Sequence, residues 1–142
     1  MQLSPDYTLA VFQLGLSFGQ TGDWDRAIET LKRALQLDPT NFSASYNLGA
    51  AYLQKKMVPE AVSAFRQCIT TAPDYAQGHR ALGEVLLYQG QTNEALAELR
   101  RAIELDPNDP GSHVALAKAL AATGKNDEAE DELRKSQTAK PQ

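Results

Sequence analysis

Apolar residues recur along this chain in stripes that have helical spacing. Between residues 27 and 35 they fall at the intervals i, i+1, i+4, i+7 and i+8, which is one face of an α-helix: Ala27, Ile28, Leu31, Ala34 and Leu35. The stretch from Thr8 to Phe18 is apolar on nearly every side, which is typical of a helix buried on more than one face. No segment shows the sustained period-two alternation of a strand. The pattern therefore predicts an all-α protein.

The stripes repeat with a period of 34 residues. One series of alanines is in register across the chain: Ala27, Ala61, Ala95 and Ala129. The pair Leu82 and Gly83 recurs one and two periods earlier, as Leu48 with Gly49 and as Leu14 with Gly15. Such a period indicates an array in which each unit stacks on its neighbours, because one unit is too small to bury its own apolar face.

The period divides the chain into four complete units, at residues 8–41, 42–75, 76–109 and 110–142. We expect residues 1–7 to be the tail of a preceding or vestigial repeat. Each unit should consist of two antiparallel helices joined by a short turn, and three of the four turns carry a glycine that can adopt the left-handed conformation: Gly22, Gly90 and Gly124.

The second unit departs from this turn pattern, since Lys56 stands where the others have glycine. We expect Lys56 to be forced to positive φ, at a cost on the order of 1 kcal/mol. Pro59 should lie in the first turn of the next helix, where proline removes no needed donor. Asp109 should cap a helix that starts with Pro110.

The two ends of the array differ in polarity. In the last helix, Glu130 and Gln137 occupy positions that are apolar in the earlier units. We expect this face to be solvated, as a terminal repeat requires. We expect the first helix instead to have an apolar face that looks unfinished.

Composition excludes some classes of function. The net charge is −4, with no cluster of lysine and arginine, which argues against a nucleic-acid partner. The single cysteine, Cys68, cannot form an intramolecular disulfide, and no run of apolar residues is long enough for a membrane span. We expect a soluble chain; no targeting segment is visible, and the compartment stays open.

With Leu-Gly, alanine, large apolar residues and proline at these offsets, residues 8–141 resemble the tetratricopeptide repeat (TPR) proteins. The resemblance implies an α-solenoid, a right-handed superhelix of four helix-turn-helix repeats. Small residues such as Gly15, Gly49 and Gly83 should let the two helices of a repeat approach closely. Large residues of both helices should fill the space between them: Phe18, Tyr52, Leu86 and Leu120 on the first helices, and Leu31, Phe65, Leu99 and Leu133 on the second.

The resemblance also implies a concave groove lined mainly by the first helix of each repeat. Carried onto this chain, it gives ten predicted partner-binding residues: Phe12, Gln13, Leu16, Tyr46, Asn47, Arg80, Glu84, Tyr88, Val114 and Lys118. It places Gln20 and Ala50 in the same groove. The clamp of cations with which some TPR domains hold a chaperone tail is missing, because neither register of the clamp positions supplies lysine and arginine.

The predicted function is a non-catalytic protein–protein interaction module, a scaffold or adaptor that binds a peptide or helix of a partner in the groove. Arg80, Glu84 and Lys118 would orient the segment; alternatively these side chains pair with one another. Phe12 and Leu16 would anchor it, or are covered by a further repeat or a second copy. The alternative function is an oligomerisation or regulatory segment of a larger protein that docks through the apolar N-terminal face.

No catalytic, cofactor or metal site is predicted. His79 and His113 lie one period apart with no further ligand, so we expect a packing or partly exposed role. Cys68 should be a small buried side chain, not a nucleophile. The acidic run from Asp127 to Glu132 lacks the spacing of a calcium loop and should be a solvated helix start. We therefore expect no enzyme.

Overall fold

The computed structural model describes residues 4–139, which form helices joined by short turns. The helices are α1 (Pro5–Gln20), α2 (Trp24–Leu37), α3 (Phe42–Gln54), α4 (Val58–Thr71), α5 (Ala76–Tyr88), α6 (Thr92–Leu105), α7 (Pro110–Ala122) and α8 (Asn126–Thr138). No strand occurs in the described part of the chain, so the predicted all-α fold is confirmed. None of the helices within residues 4–139 is both long and apolar enough to cross a bilayer.

The helices form two compact units, Met1–Pro73 and Asp74–Gln142. In the first unit α1 packs along α2, α3 packs along α4, and α2 packs against α3. In the second unit α5 packs along α6, α7 packs along α8, and α6 packs against α7. Each unit thus contains two helix-turn-helix pairs, in which the second helix of one pair supports the first helix of the next.

The first helix begins earlier than the repeat pattern indicates. The pattern starts the first complete repeat at Thr8, whereas α1 starts at Pro5. Ser4 is the N-cap, and its hydroxyl oxygen accepts the Tyr7 N–H at 3.2 Å. Proline at the first helical position and Asp6 in the first turn both favour a helix start here. Residues 5–7 therefore belong to α1, and residues 1–3 lie outside the described residues.

The turns between paired helices confirm the expectation for Lys56. Gly22, Gly90 and Gly124 have φ of 79°, 80° and 80°, and Lys56 adopts φ of 59° at the equivalent place. Lys56 is the one non-glycine residue between positions 4 and 139 with a positive φ. Pro59 is the second residue of α4, as predicted. The second turn therefore carries backbone strain that the other three avoid.

Close contact between a glycine and a large side chain holds the helices of three pairs together. The contacts are Gly15 with Leu31, Gly49 with Phe65, and Gly83 with Leu99. A Cβ added to Gly49 would lie 2.6 Å from Cε1 of Phe65, so any other residue would require the Phe65 ring or the helices to shift. Since Leu31, Phe65 and Leu99 are almost fully buried, the predicted packing is confirmed.

The exposed ends of the array have the predicted polarity. Glu130 and Gln137 are exposed on α8. On α1, Leu14 is 49% exposed, whereas its counterparts one and two periods later, Leu48 and Leu82, are 6% and 0% exposed. The side chain of Leu14 is thus accessible at a position where two later repeats bury a leucine.

We expect Lys56→Gly to stabilise the first unit by up to about 1 kcal/mol, because glycine adopts positive φ without steric strain. Urea unfolding followed by fluorescence of Trp24, which lies in the same unit, measures the change. The reciprocal substitution Gly90→Lys is the matched control and should destabilise the second unit, which circular dichroism follows because the single tryptophan lies in the first unit. An unchanged or lowered midpoint for Lys56→Gly would show that the turn is not strained.

Candidate functional site

In the first unit the predicted groove residues lie on α1 and α3, and several also serve the core. Phe12 is half-buried and packs against the apolar cluster that contains Leu31 and Leu48. The ring of Tyr46 is half-buried and lies 5.7 Å from that of Phe65, tilted by 55°. Both aromatic side chains therefore contribute to the packing of the first unit and keep part of their surface accessible.

A cavity of about 420 Å³ opens beside these residues. Four predicted groove positions contribute to it: Leu16, Gln20, Asn47 and Ala50. Its other lining residues come from α1, α2 and α3: Gly15, Gly19, Trp24, Ala27, Leu31 and Ala51. Asn47 also donates from Nδ2 to the Ser43 carbonyl at 2.8 Å, which fixes its amide. Sequence reasoning missed the cavity, although a glycine at position 19 was a usable signal.

In the second unit Arg80 is held by two carboxylates. Its Nε donates to Oε1 of Glu84 at 3.1 Å, and its Nη1 donates to Oδ2 of Asp109 at 3.2 Å. Gly111 makes room for this arrangement, since a Cβ there would collide with the guanidinium. The pairing of Arg80 with Glu84 was one of the two predicted alternatives. The contact with Asp109, which joins α5 to the start of α7, was not predicted.

Asp109 combines this ion pair with the predicted helix cap. Its carboxylate accepts the N–H groups of Gly111 and Ser112 at 3.2 and 3.1 Å and the Ser112 hydroxyl at 2.6 Å. Burial raises the pKa of Asp109, but the hydrogen bonds from Ser112 and the charge of Arg80 outweigh it and hold the pKa below its ordinary value of 3.8. Asp109 is therefore ionised and fully engaged at neutral pH.

Three further predicted groove residues of this unit differ in their exposure. Tyr88 is 80% exposed and Lys118 is exposed, whereas Val114 is half-buried. Lys118 makes no ion pair within residues 4–139. It therefore does not join the pairing of Arg80 and Glu84 that the sequence left open.

Both histidines have the packing role that was predicted, through pairings that the sequence did not reveal. Nδ1 of His79 lies 2.7 Å from Glu98, and Nδ1 of His113 lies 2.7 Å from Glu132. As whole residues, His79 and His113 are 8% and 4% exposed. Each histidine precedes its glutamate by 19 residues, and this shared spacing was the one signal of the pairing in the sequence. Within residues 4–139 no three histidine, cysteine or acidic side chains converge to hold a metal ion.

Glu132 differs from the solvated acidic residue that was expected. Its side chain is 13% exposed and accepts hydrogen bonds from His113 and from Nζ of Lys135 at 2.8 Å. Burial raises the pKa of Glu132, but the hydrogen bonds from Lys135 and His113 outweigh it and lower the pKa. Asp127 and Glu128 do lie exposed in the first turn of α8, as predicted.

Cys68 is fully buried, as predicted. Burial raises the pKa of its thiol to about 11, so the nucleophilic thiolate is scarce at neutral pH.

A second cavity, of about 370 Å³, lies among α2, α3 and α4 and is lined in part by Lys32, Tyr52 and Glu60. It lies outside the predicted groove, and its residues carry no motif that would have revealed it.

Family models match this chain in two overlapping sets. A model described as TPR repeat matches residues 15–56 and 83–124, which is more than half of the chain. The chain belongs to the tetratricopeptide repeat family. A second model, described as tetratricopeptide repeat, matches residues 42–75 and 110–142. A search of curated proteins gave no significant match.

Solved structures of MamA proteins are similar to this TPR chain. A crystal structure of MamA is 26% identical, with a TM-score of 0.88 over 96% of this chain and 80% of that chain. MamA AMB-1 is 28% identical, with a TM-score of 0.77 over 92% and 76%. MamA from Desulfovibrio magneticus RS-1 is 24% identical, with a TM-score of 0.84 over 93% and 75%, and at this identity shows the fold alone. The predicted fold class, an all-α TPR solenoid, is confirmed.

The TPR fold is a non-catalytic scaffold for protein interaction, and TPR proteins bind protein partners. The TPR repeats and the solenoid fold of this chain support the same general role, a scaffold for protein interaction. The groove faces of its first helices and the first cavity are therefore its candidate functional site.

We expect Asp109→Ala to destabilise the second unit by about 1–2 kcal/mol, because it removes both a helix cap and the partner of Arg80. Asp109→Asn keeps a capping oxygen and should cost less. The lowered pKa means that the advantage of wild type over Asp109→Asn is present above about pH 3.8, the ordinary value, and is lost as the pH falls through the lowered pKa.

Urea unfolding monitored by circular dichroism at neutral and acidic pH measures these differences. Asp74→Ala is the matched control, because Asp74 pairs with Arg101 at 3.4 Å but its side chain is 88% exposed. That surface pair should change stability by no more than about 0.5 kcal/mol. Equal losses for Asp109→Ala and Asp74→Ala would contradict the role assigned to Asp109.

Proposed function

We propose that this chain is a non-catalytic interaction module that binds a segment of a partner protein on the groove faces of its first helices. The observation that carries the proposal is the exposure of Tyr88, a large aromatic residue at a groove position of which 80% is accessible. Aromatic side chains supply much of the binding energy in protein interfaces. The membership of the TPR family supports the same function.

The two units offer different chemistry to such a segment. The first unit presents the apolar edges of Phe12, Leu16 and Tyr46 together with Gln13 and Asn47, beside the first cavity. The second unit presents Tyr88, Val114 and Lys118. We propose that the first unit binds apolar side chains and that Lys118 attracts an acidic residue of the partner, because an exposed cation without an intramolecular partner is available for such a contact.

The structure revises the role proposed for Arg80 and Glu84. Arg80 already binds Glu84 and Asp109, and breaking these contacts would leave partly buried charges uncompensated. We therefore propose that Arg80 and Glu84 hold the groove helices in place, and that recognition depends on Tyr88 and Lys118.

The proposed absence of catalysis is supported by the state of the side chains that enzymes use most often. Cys68 is buried with a raised pKa, and His79 and His113 are each bound to a glutamate. The Cys68 thiol is mostly protonated at neutral pH, and both imidazoles are engaged in contacts that join the helices of a pair, so these groups are poorly placed for catalysis.

A second candidate function rests on Leu14. Its exposure, where its counterparts are buried, supports docking of another helix on the apolar face of α1, either from a second copy or from a larger assembly. Light scattering over a range of concentrations tests this: a dimer that Leu14→Glu dissociates supports docking, and a monomer at all concentrations contradicts self-association.

We expect peptides selected on the intact chain from a random-peptide display library to bind the groove. Tyr88→Ala and Lys118→Glu should each weaken the selected peptides by at least about tenfold, or about 1.4 kcal/mol, in isothermal titration calorimetry. Arg100→Glu is the control for Lys118→Glu, because Arg100 is an exposed cation of the same unit on a second helix. Equal affinity for wild type, Tyr88→Ala and Lys118→Glu would move the binding surface elsewhere.

A further inference from the structure

The cavity of the first unit lies where the repeat lacks one side chain. Gly19 stands at the position that holds Leu53 and Leu87 in the second and third repeats. Gly19 does not have a positive φ, so the backbone does not require glycine there. A Cβ on Gly19 would meet only Trp24, at an ordinary contact distance of 3.7 Å. Neither the turn nor the packing of the helices therefore explains this glycine.

The second unit shows what fills the equivalent space. There the side chain of Leu87 packs against an apolar cluster that includes Leu99, Ala115 and Ala119. These three residues lie two periods after three residues that line the cavity: Leu31, Asn47 and Ala51. The space that a leucine side chain occupies in the second unit is thus open in the first.

The lining of the cavity is apolar and uncharged. Leu16, Trp24 and Leu31 form apolar surfaces, small residues add open space between them, and the amides of Gln20 and Asn47 supply the polar groups. No charged residue lines it. Its volume of about 420 Å³ lies within the range of about 300–1,000 Å³ that is typical of ligand sites. An uncharged apolar group suits this lining, whereas a carboxylate or ammonium group would lose its hydration without a partner.

We propose that this cavity, the leucine pocket, binds an aliphatic side chain of leucine size from the protein segment held in the groove. The bound side chain replaces the one that Gly19 lacks and makes the contacts that Leu87 makes in the second unit. The proposal rests on the proposed function, since it names the chemistry of one residue of the partner segment. It also accounts for Trp24, which lines the pocket and would lie against the bound side chain.

Trp24 makes the pocket directly measurable, because it is the single tryptophan of the chain. In NMR spectra of the intact protein, its one indole N–H resonance should shift when N-acetyl-leucine methylamide is titrated. The leucine amide should bind at least about tenfold more tightly than N-acetyl-alanine methylamide, because it buries more apolar surface. Equal binding of the two amides, or no shift of the Trp24 resonance, would overturn the proposal.

Substitution of Gly19 tests the same claim from the side of the protein. Gly19→Leu should fill the pocket, raise the thermal midpoint because leucine favours the helix more than glycine does, and abolish the shift of Trp24 by the leucine amide. Ala121→Leu is the matched control, since Ala121 is the exposed counterpart of Gly19 in the fourth repeat. Gly19→Ala adds a methyl group at an ordinary contact distance, so it should fold and keep part of the affinity.

The peptides selected on the groove separate this inference from the proposed function. If Gly19→Leu weakens their binding at least about tenfold and Ala121→Leu does not, the leucine pocket is supported. If Lys118→Glu weakens them and Gly19→Leu does not, the groove function stands and the leucine pocket is overturned. If none of Gly19→Leu, Lys118→Glu and Tyr88→Ala weakens them, both are overturned.

Discussion

The structure depends on one contact that recurs with the repeat, a glycine of a first helix against a large side chain of the second. It brings Gly15 to Leu31, Gly49 to Phe65 and Gly83 to Leu99. Close approach of two helices at these points buries the large side chains, and burial of apolar surface is the main force that stabilises such a pair. Within each unit, the first helix of the second pair also packs against the second helix of the first pair. The face of the first helices that these contacts leave accessible is the proposed groove. The contact that stabilises each helix pair therefore also fixes the first helices, whose faces form the proposed binding surface.

Polar groups in the second unit are divided between stability and recognition. Asp109 caps α7 and holds Arg80, and Glu132 holds His113 and Lys135. These groups are committed to contacts within the unit, where their removal would leave buried or half-buried charges without partners. Tyr88 and Lys118 are exposed and take no part in these contacts. The surface that we propose for a partner in this unit is therefore smaller than the predicted groove, and it combines the exposed ring of Tyr88 with the positive charge of Lys118.

The sequence predicted the fold well because the repeat constrains the same position several times. The period identified the paired helices. The glycine turns, the strain at Lys56 and the cap at Asp109 were predictable because each depends on local geometry that one residue determines. The start of α1 was placed too late, because the match to later repeats hid the cap at Ser4. Local capping chemistry prevailed there over the repeat pattern.

The candidate site was less predictable, for a physical reason. The contact of Arg80 with Asp109 and the pairs of histidine with glutamate join residues on different helices, so they depend on helix packing that no short motif encodes. The cavity depends on a missing side chain, at Gly19, and an absence is visible only when the repeats are compared at that position. The groove positions that the repeat implies stay a prediction. Which groove residues are free for a partner depended on the side-chain contacts.

The central claim, that the groove faces of the first helices bind a protein segment, is tested most directly by intermolecular nuclear Overhauser effects between the isotope-labelled chain and an unlabelled peptide selected on it. Contacts from the peptide to side chains of α1, α3, α5 and α7 at the groove positions are predicted. Contacts confined to the second helices, or to the apolar face of α1 around Leu14, would contradict the account.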